Sequence, residues 1–214
     1  MNSAVIVAGG ASARFDNKIP KQFVKVYNQE ILSFSVNTFL NHHKIDEVVI
    51  VSLPDWINHV ASEYPKCHVV AGGTHRQHSS LNGVTATSSE TINVLIHDAA
   101  RPFVTDEIIS DCLSALANYD GSAPIVSPTD SLVKWDGKKA ISENRSNIKI
   151  VQTPQCFNKE IILDVLKSDI TGTDEIGMLL KLYPDSKVQF IEGSINNIKI
   201  TTQNDLSYCK KKLM

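Results

Sequence analysis

Apolar runs without polar alternation constrain this sequence most. Ala4-Val5-Ile6-Val7-Ala8 is one; Glu47-Val48-Val49-Ile50-Val51-Ser52-Leu53 and Asn93-Val94-Leu95-Ile96-His97 are others. A strand wetted on one face alternates apolar and polar residues, whereas a strand covered on both faces has no need to. Helical spacing separates these runs. Ile31 to Leu40 carries it, as do Gln77 to Ala86 and a segment opening at Thr105-Asp106 and lasting to about Ala117. Asp55 to Tyr64 reads as a further helix capped by Asp55, and His68-Val69-Val70 as a short strand running into Gly72-Gly73. Ser122 to Ser127 and Val188 to Ile191 read as strands, and 158–166, 174–182 and the residues from about Asn204 as helices. Alternation of this kind predicts an α/β fold, a mostly parallel sheet with helices on both faces and right-handed crossovers. Ligands of such sheets bind beyond the carboxyl ends of the strands. The loops at 8–21, 71–79 and 97–103 all follow strands, so they are expected to converge.

Residues 128–149 break the pattern. Leu132-Val133-Lys134-Trp135, Asp136-Gly137 and Ala140-Ile141 spell a hairpin, because Asp-Gly suits a tight turn between strand formers. An isolated hairpin is marginal in water. This arm is therefore expected to pack on something, a partner subunit being the natural candidate. The 214 residues suit one domain, 1–214, carrying that arm. No apolar run approaches the ~20 residues of a membrane span. Met1-Asn2-Ser3 leads straight into an apolar strand without a basic region or cleavage site, which makes a cytoplasmic location the expectation. A net charge of -2 argues against non-specific nucleic-acid binding. Cys67, Cys112, Cys156 and Cys209 form no CxxC pair and no zinc spacing, and read as reduced thiols.

The first loop reads Ala8-Gly9-Gly10-Ala11-Ser12-Ala13-Arg14-Phe15, with Pro20-Lys21-Gln22-Phe23 close behind. A glycine pair after a buried strand lets backbone approach a ligand, and exposed N–H groups there can cradle phosphate oxygens. It is neither a Walker loop nor GxGxxG. Arg14 and Lys21 flank it as a clamp for a triphosphate; the alternative is a strand-to-helix turn with two solvated cations. His97-Asp98-Ala99-Ala100-Arg101-Pro102-Phe103 closes another buried strand. Asp98 there faces the ligand crevice and could hold Mg²⁺ or a substrate hydroxyl. Arg101 could fork onto a phosphate. A loop-organising Asp98–Arg101 ion pair is the alternative. A lysine such as Lys199, in a polar strand-like segment, would ordinarily be solvated.

These pieces occur in order with Gly72-Gly73, Arg76 and Ser79, then Gln152-Thr153-Pro154-Gln155, Thr173-Asp174-Glu175, Glu192-Gly193 and Asn197-Ile198-Lys199-Ile200-Thr201. The whole, from residue 4 to about 210, resembles the 2-C-methyl-D-erythritol 4-phosphate cytidylyltransferases and their relatives, the ribitol-5-phosphate cytidylyltransferases. The resemblance implies a Rossmann-like nucleotidyltransferase fold of the GT-A-like kind. It also implies Mg²⁺-dependent CMP transfer from CTP to a small alditol phosphate, and a homodimer joined through the arm. Arg14, Lys21 and Lys199 match the family's cations at the reacting phosphates. Ala8, Gly9, Gly10, Ala11, Gly72, Gly73, Ser79 and Asp98 match its CTP side. Arg101, Asp130, Ser131, Arg145 and Thr153 match its polyol-phosphate side, with Asp98 there too; the arm residues serve the other subunit.

Some positions depart from the family pattern. Ala8-Gly9-Gly10 replaces Ala-Ala-Gly and occurs often in the ribitol branch. Ser131 replaces a threonine, and Thr173-Asp174-Glu175-Ile176-Gly177 lacks the Ala-Ser that often follows the acidic pair. His97-Asp98-Ala99-Ala100-Arg101 and Asn144-Arg145 lean the other way. 2-C-Methyl-D-erythritol 4-phosphate is therefore the expected acceptor, and ribitol 5-phosphate or another polyol phosphate of envelope polymers the alternative. A catalytically silent nucleotide-binding protein would have lost Arg14, Lys21 or Lys199. A sugar-1-phosphate nucleotidyltransferase would carry a longer first loop.

Overall fold

The computed structural model describes residues 1–10, 15 and 19–213. Ala11 and Arg14, both expected at the triphosphate, lie outside the described residues. The first strand, β1 (Asn2–Ala8), is followed by a one-turn 3-10 helix at Lys21–Phe23 and a small ribbon of β2 (Lys25–Val26) and β3 (Gln29–Glu30). Then come α1 (Ile31–Asn41), β4 (Glu47–Ser52), α2 (Ile57–Glu63), β5 (His68–Ala71), α3 (Arg76–Thr85) and β6 (Asn93–Asp98). The second half holds α4 (Asp106–Ala115), β7 (Gly121–Val126), β8 (Leu132–Trp135), β9 (Ala140–Glu143), β10 (Ile150–Val151) and β11 (Gln155–Asn158). It closes with α5 (Lys159–Lys167), α6 (Glu175–Leu182), β12 (Val188–Glu192) and α7 (Gln203–Lys212).

Side-chain caps start the helices of the second half. Thr105 caps α4, Asn158 caps α5, Asp174 caps α6, and Thr202 forms a capping box with Asp205 on α7. The cap read at Asp55 is not one. Pro54–Trp56 forms a 3-10 turn and α2 begins only at Ile57, because proline at a first helical position favours a tight start.

Eight strands form the main sheet, in the spatial order β5-β4-β1-β6-β11-β7-β12, with β10 continuing the lane of β11. The pairs β1–β4, β1–β6, β4–β5 and β7–β12 are parallel. β10 and β11 run antiparallel to their neighbours. The pattern did not reveal β11 as a strand, because it is short and begins at Gln155, next to the cis Thr153–Pro154 peptide.

Within β1, alternate residues of the apolar run Ala4–Ala8 serve opposite faces. Ala4, Ile6 and Ala8 join Leu32, Phe39, Ile50, Leu95 and Ile109 under α1 and α4. Val5 joins Val49, Val51, Val94, Ile96 and Phe157 under α3, α5 and α6. A third cluster lies beyond the strand ends, where Ile200, Leu206 and Cys209 pack on Ala100, Phe15 and Ile31. There the Ile200 N–H donates to Ala100 O at 2.8 Å, tying the outgoing loop of β6 to the segment before α7. Asn197–Thr201 is therefore a docked segment and not a strand.

β8 and β9 stand apart as the expected hairpin, closed by the Trp135–Ala140 pair. Asp136 accepts the N–H groups of Lys138 and Lys139, and Gly137 takes a positive φ of 95°. Val133 is 62% exposed and Trp135 60%.

Candidate active site

The carboxyl ends of β1, β4, β5 and β6 open on a cavity of about 550 Å³, within the range of small-ligand pockets. Gly9, Gly10, Lys21, Gly73, Ser79, Asp98 and Lys199 all line it. Gln22 holds the first loop in place, donating from Nε2 to Ala8 O at 2.6 Å and Gly10 O at 3.1 Å. The same 3-10 turn places Lys21 on the cavity wall, and its Phe23 stacks on Trp56 with ring centroids 4.2 Å apart.

On the opposite side Gly73 and Ser79 line the cavity, and Gly72, which does not, lies behind them with its N–H donating to Ser52 O at 2.7 Å. The buried Ser79 Oγ accepts the Gly73 N–H at 3.1 Å. A Cβ on Gly73 would stand 2.3 Å from that of His78, so glycine is required for the chain to turn this closely into α3.

A second recess of about 370 Å³ holds Arg101, Thr153 and Thr173. Arg76, Asp98 and Lys199 line both spaces and form the partition between them. Three cations meet the Asp98 carboxylate. Lys199 Nζ is 2.9 Å from Oδ2, Arg101 Nε 3.3 Å from Oδ2, and Arg76 Nη2 3.4 Å from Oδ1. Burial alone would raise the Asp98 pKa; Arg76, then Lys199 and Arg101, outweigh it and hold the group well below the usual carboxylate range. Of the readings left open for Asp98–Arg101, the ion pair is present, and it lies at the edge of a recess. Lys199 is bound to Asp98 instead of simply solvated.

Buried hydrogen bonds fix this cluster from behind. Thr153 Oγ1 accepts the Asp98 N–H at 3.1 Å and lies 3.0 Å from His97 Nδ1. His97 Nε2 lies 3.2 Å from the Arg101 carbonyl, which can only accept, so the ring proton belongs on Nε2. Burial lowers the His97 pKa to about 4, the charge of Asp98 opposing it, which leaves the ring neutral. Arg101 Nη1 donates to Asn197 O at 2.8 Å. Gln152 donates to Ser194 O at 2.8 Å, and the Asn197 amide to Thr153 O at 3.0 Å. Gln155 donates to Asp174 Oδ2 at 2.8 Å and accepts the Ile176 N–H at 2.9 Å.

The glutamines of the Gln152-Thr153-Pro154-Gln155 motif therefore join β10 and β11 to the Asn197 segment and to α6. Sequence reasoning gave Gln22, Gln152, Gln155 and Arg76 no role. The available signal was three glutamines with no chemistry of their own, and a charged Arg76, standing inside the ordered motifs.

Asp130, Ser131 and Arg145 are exposed on the arm and line neither space. Arg145 donates from Nη1 to Thr129 O at 2.6 Å, in a separate hollow with Ser127 and Lys149. One chain alone does not bring these three to Asp98. Nor does Asp98 make a protein-built Mg²⁺ site. Its oxygens face three cations, and among the described residues no three His, Cys, Asp or Glu side chains gather as ligands.

Glycine loops at strand ends, opposite cations grouped around one carboxylate, define the site of a nucleotidyltransferase on a Rossmann-like sheet. The sequence pattern described as IspD: 2-C-methyl-D-erythritol 4-phosphate cytidylyltransferase matches residues 2–213. A Clostridium botulinum (strain 657 / Type Ba4) protein called 2-C-methyl-D-erythritol 4-phosphate cytidylyltransferase is 42% identical, over 96% of this chain and 94% of its own length. One of the same name from Clostridium acetobutylicum is 37% identical over 96% and 94%. The crystal structure of 4-diphosphocytidyl-2C-methyl-D-erythritol synthase from Anaerococcus prevotii DSM 20548 superposes with a TM-score of 0.88 at 26% identity. It matches over 99% of this chain and 95% of that one. The chain belongs to the 2-C-methyl-D-erythritol 4-phosphate cytidylyltransferase family and is a CTP-dependent cytidylyltransferase.

Proposed function

We propose that the chain transfers CMP from CTP to 2-C-methyl-D-erythritol 4-phosphate, releasing pyrophosphate, as a cytoplasmic homodimer that supplies isoprenoid precursors. The observation that carries this reading is the partition of Arg76, Asp98 and Lys199, with Arg101 beside it, between two cavities of nucleotide and small-polyol size. The acceptor phosphate is already an anionic nucleophile, so no strong base is needed. The obstacle is bringing two polyanions together and stabilising charge at the α-phosphate during in-line attack. Lys21 and Lys199, with Arg14, supply cations on the triphosphate. The backbone of Ala8, Gly9, Gly10 and Ala11 supplies N–H donors, and Gly72, Gly73 and Ser79 shape the wall for the base.

Arg101 holds the acceptor phosphate and Asp98 accepts a polyol hydroxyl. Thr153, its hydroxyl committed inward, acts through Asp98. Asp130, Ser131 and Arg145 reach the acceptor of the other subunit from the arm, whose exposed Val133 and Trp135 support dimerisation. Mg²⁺ is proposed as an ion carried on triphosphate oxygens and supplying charge neutralisation there. Among the described residues no helix is long and apolar enough to cross a membrane.

The test is pyrophosphate release with Mg²⁺, CTP and each acceptor in turn. CTP should exceed ATP, GTP and UTP by far, and 2-C-methyl-D-erythritol 4-phosphate should exceed ribitol 5-phosphate in kcat/KM. A ratio of ten or more for ribitol 5-phosphate overturns the acceptor, and equal turnover of the four nucleotides overturns the base assignment.

A further inference from the structure

Glu175 is fully buried at the first turn of α6, far in sequence from the residues it meets. Its Oε1 accepts from Arg76 Nη1 and, at 2.6 Å, from Ser80 Oγ. Its Oε2 has no hydrogen-bond partner among the described residues. Burying a charged carboxylate with one oxygen unsatisfied is costly, and packing α6 on α3 does not need it, since a leucine or a glutamine could fill such a place. The ion pair therefore calls for a use beyond packing.

The use is legible in where Arg76 ends. One guanidinium nitrogen is held by Glu175, and the other reaches Asp98 Oδ1 at 3.4 Å. Burial would lower the Arg76 pKa; Glu175 and then Asp98 raise it above its ordinary value, so the bridge stays charged. Lys199, by contrast, has a 38% exposed side chain and, among the described residues, one ion pair, that to Asp98. Of the cations around Asp98 it is the one on a flexible stem with open space beside it. A triphosphate, with its greater charge, would compete with Asp98 for Lys199. Arg76 is tied at its other end by Glu175 and would stay.

We propose that Glu175 is a positioning residue for the transfer: it anchors Arg76 on Asp98, so that Asp98 keeps its orientation and a counter-charge for the polyol while Lys199 serves the phosphates. The inference rests on the cytidyl-transfer reading above. It differs from that reading in making α6 and α3, which need not touch the acceptor through these two side chains, set its affinity. A planar fork is required for the bridge, since an ammonium has no fixed pair of donors to span two carboxylates.

The experiment is steady-state kinetics of the full-length enzyme with CTP and 2-C-methyl-D-erythritol 4-phosphate each varied in turn. Wild type is run alongside, because a wild type inactive on this pair defeats the function and leaves Glu175 aside. Given an active wild type, Glu175→Gln should raise the KM of the acceptor at least tenfold, with the KM of CTP within twofold. Glu175→Asp, which restores the charge at a shorter reach, should recover part of the loss. Arg76→Lys, at a side chain 29% exposed and so more tolerant of change than Glu175, should reproduce the Glu175→Gln pattern even if the buried variant folds poorly. An acceptor KM unchanged within twofold in either folded variant overturns the proposal. So does a CTP KM that rises in step with that of the acceptor, since it reports general distortion.

Discussion

The partition between the two cavities and the arm are opposites in construction. Around Asp98 the charged groups hold one another, and they come from β6 and the loop after it, α3, α6 and the segment before α7. The arm is one hairpin whose large apolar side chains face solvent. The first region is finished within one chain, whereas the second lacks a surface to cover it. The difference separates two kinds of functional residue. Those proposed to set charge at the phosphates are built into the protomer, and those proposed to reach the partner's acceptor are left outside it.

The largest effect expected to sharpen this contrast is catalytic. Lys199→Ala and Lys21→Ala should each lower kcat by roughly 100-fold or more, by analogy with removal of one preorganised donor. Both variants should still fold, since Asp98 keeps Arg76 and Arg101 when Lys199 is removed and Lys21 lies on the cavity wall. Near-normal kcat in either variant would break the assignment of the partition to chemistry.

Next comes the pH dependence of folding. His97 has a folded pKa of about 4 against 6.5 for the free side chain. Between those values the unfolded chain binds more protons, so stability is present above pH 6.5 and is lost as pH falls towards 4. The loss is roughly 3 kcal/mol. Asp98, held lower still, adds to the loss at more acidic pH. Urea unfolding from pH 7 to 4.5 should show a steep fall in wild type and a flatter one in His97→Gln. Parallel slopes would show that the buried ring does not carry the effect.

Packing is expected to matter somewhat less. A Cβ on Gly83 would stand 2.4 Å from Val5 and 2.6 Å from Val51, so Gly83→Ala must push α3 off the sheet. A cost of about 1–3 kcal/mol is expected in denaturant unfolding. A loss under about 0.5 kcal/mol would mean the interior yields more readily than its density suggests.

The smallest effect on the protomer belongs to the arm. Trp135→Lys should change its unfolding free energy by about 0.5 kcal/mol or less. Light scattering should nevertheless show the dimer lost. A variant that stays dimeric, or a wild type that is monomeric at micromolar concentration, would remove the arm from the interface.

What the sequence showed and hid follows the same division. β1, β4 and β6 were legible because burial on both faces leaves unbroken apolar runs. The hairpin was legible because Asp136-Gly137 is local turn chemistry. β11 was not, since its place between β6 and β7 is decided by pairing across the sheet and its Gln155 looks polar. In the site, the glycines, Lys21, Asp98 and Arg101 stood out by type and place. Arg76 and Glu175 stood in quoted motifs, yet nothing local says that residues 99 positions apart touch. Gln22 and Gln152 carry no charge to mark them, and their work is done on backbone carbonyls.

The backbone bond from Ile200 to Ala100 has a consequence for the order in which the molecule is made. Lys199 joins Asp98 only once that late segment has docked, and Glu175 reaches Arg76 only after α6 exists. During synthesis the glycine loops and the first parallel strands emerge long before either. Contacts of such sequence separation close slowly, after local structure has formed. Without that segment the chain has walls for a nucleotide but only two of the three cations at Asp98. The full charge set at Asp98 therefore waits on a contact made across half the sequence, the docking of Ile200 on Ala100 that brings Lys199 in.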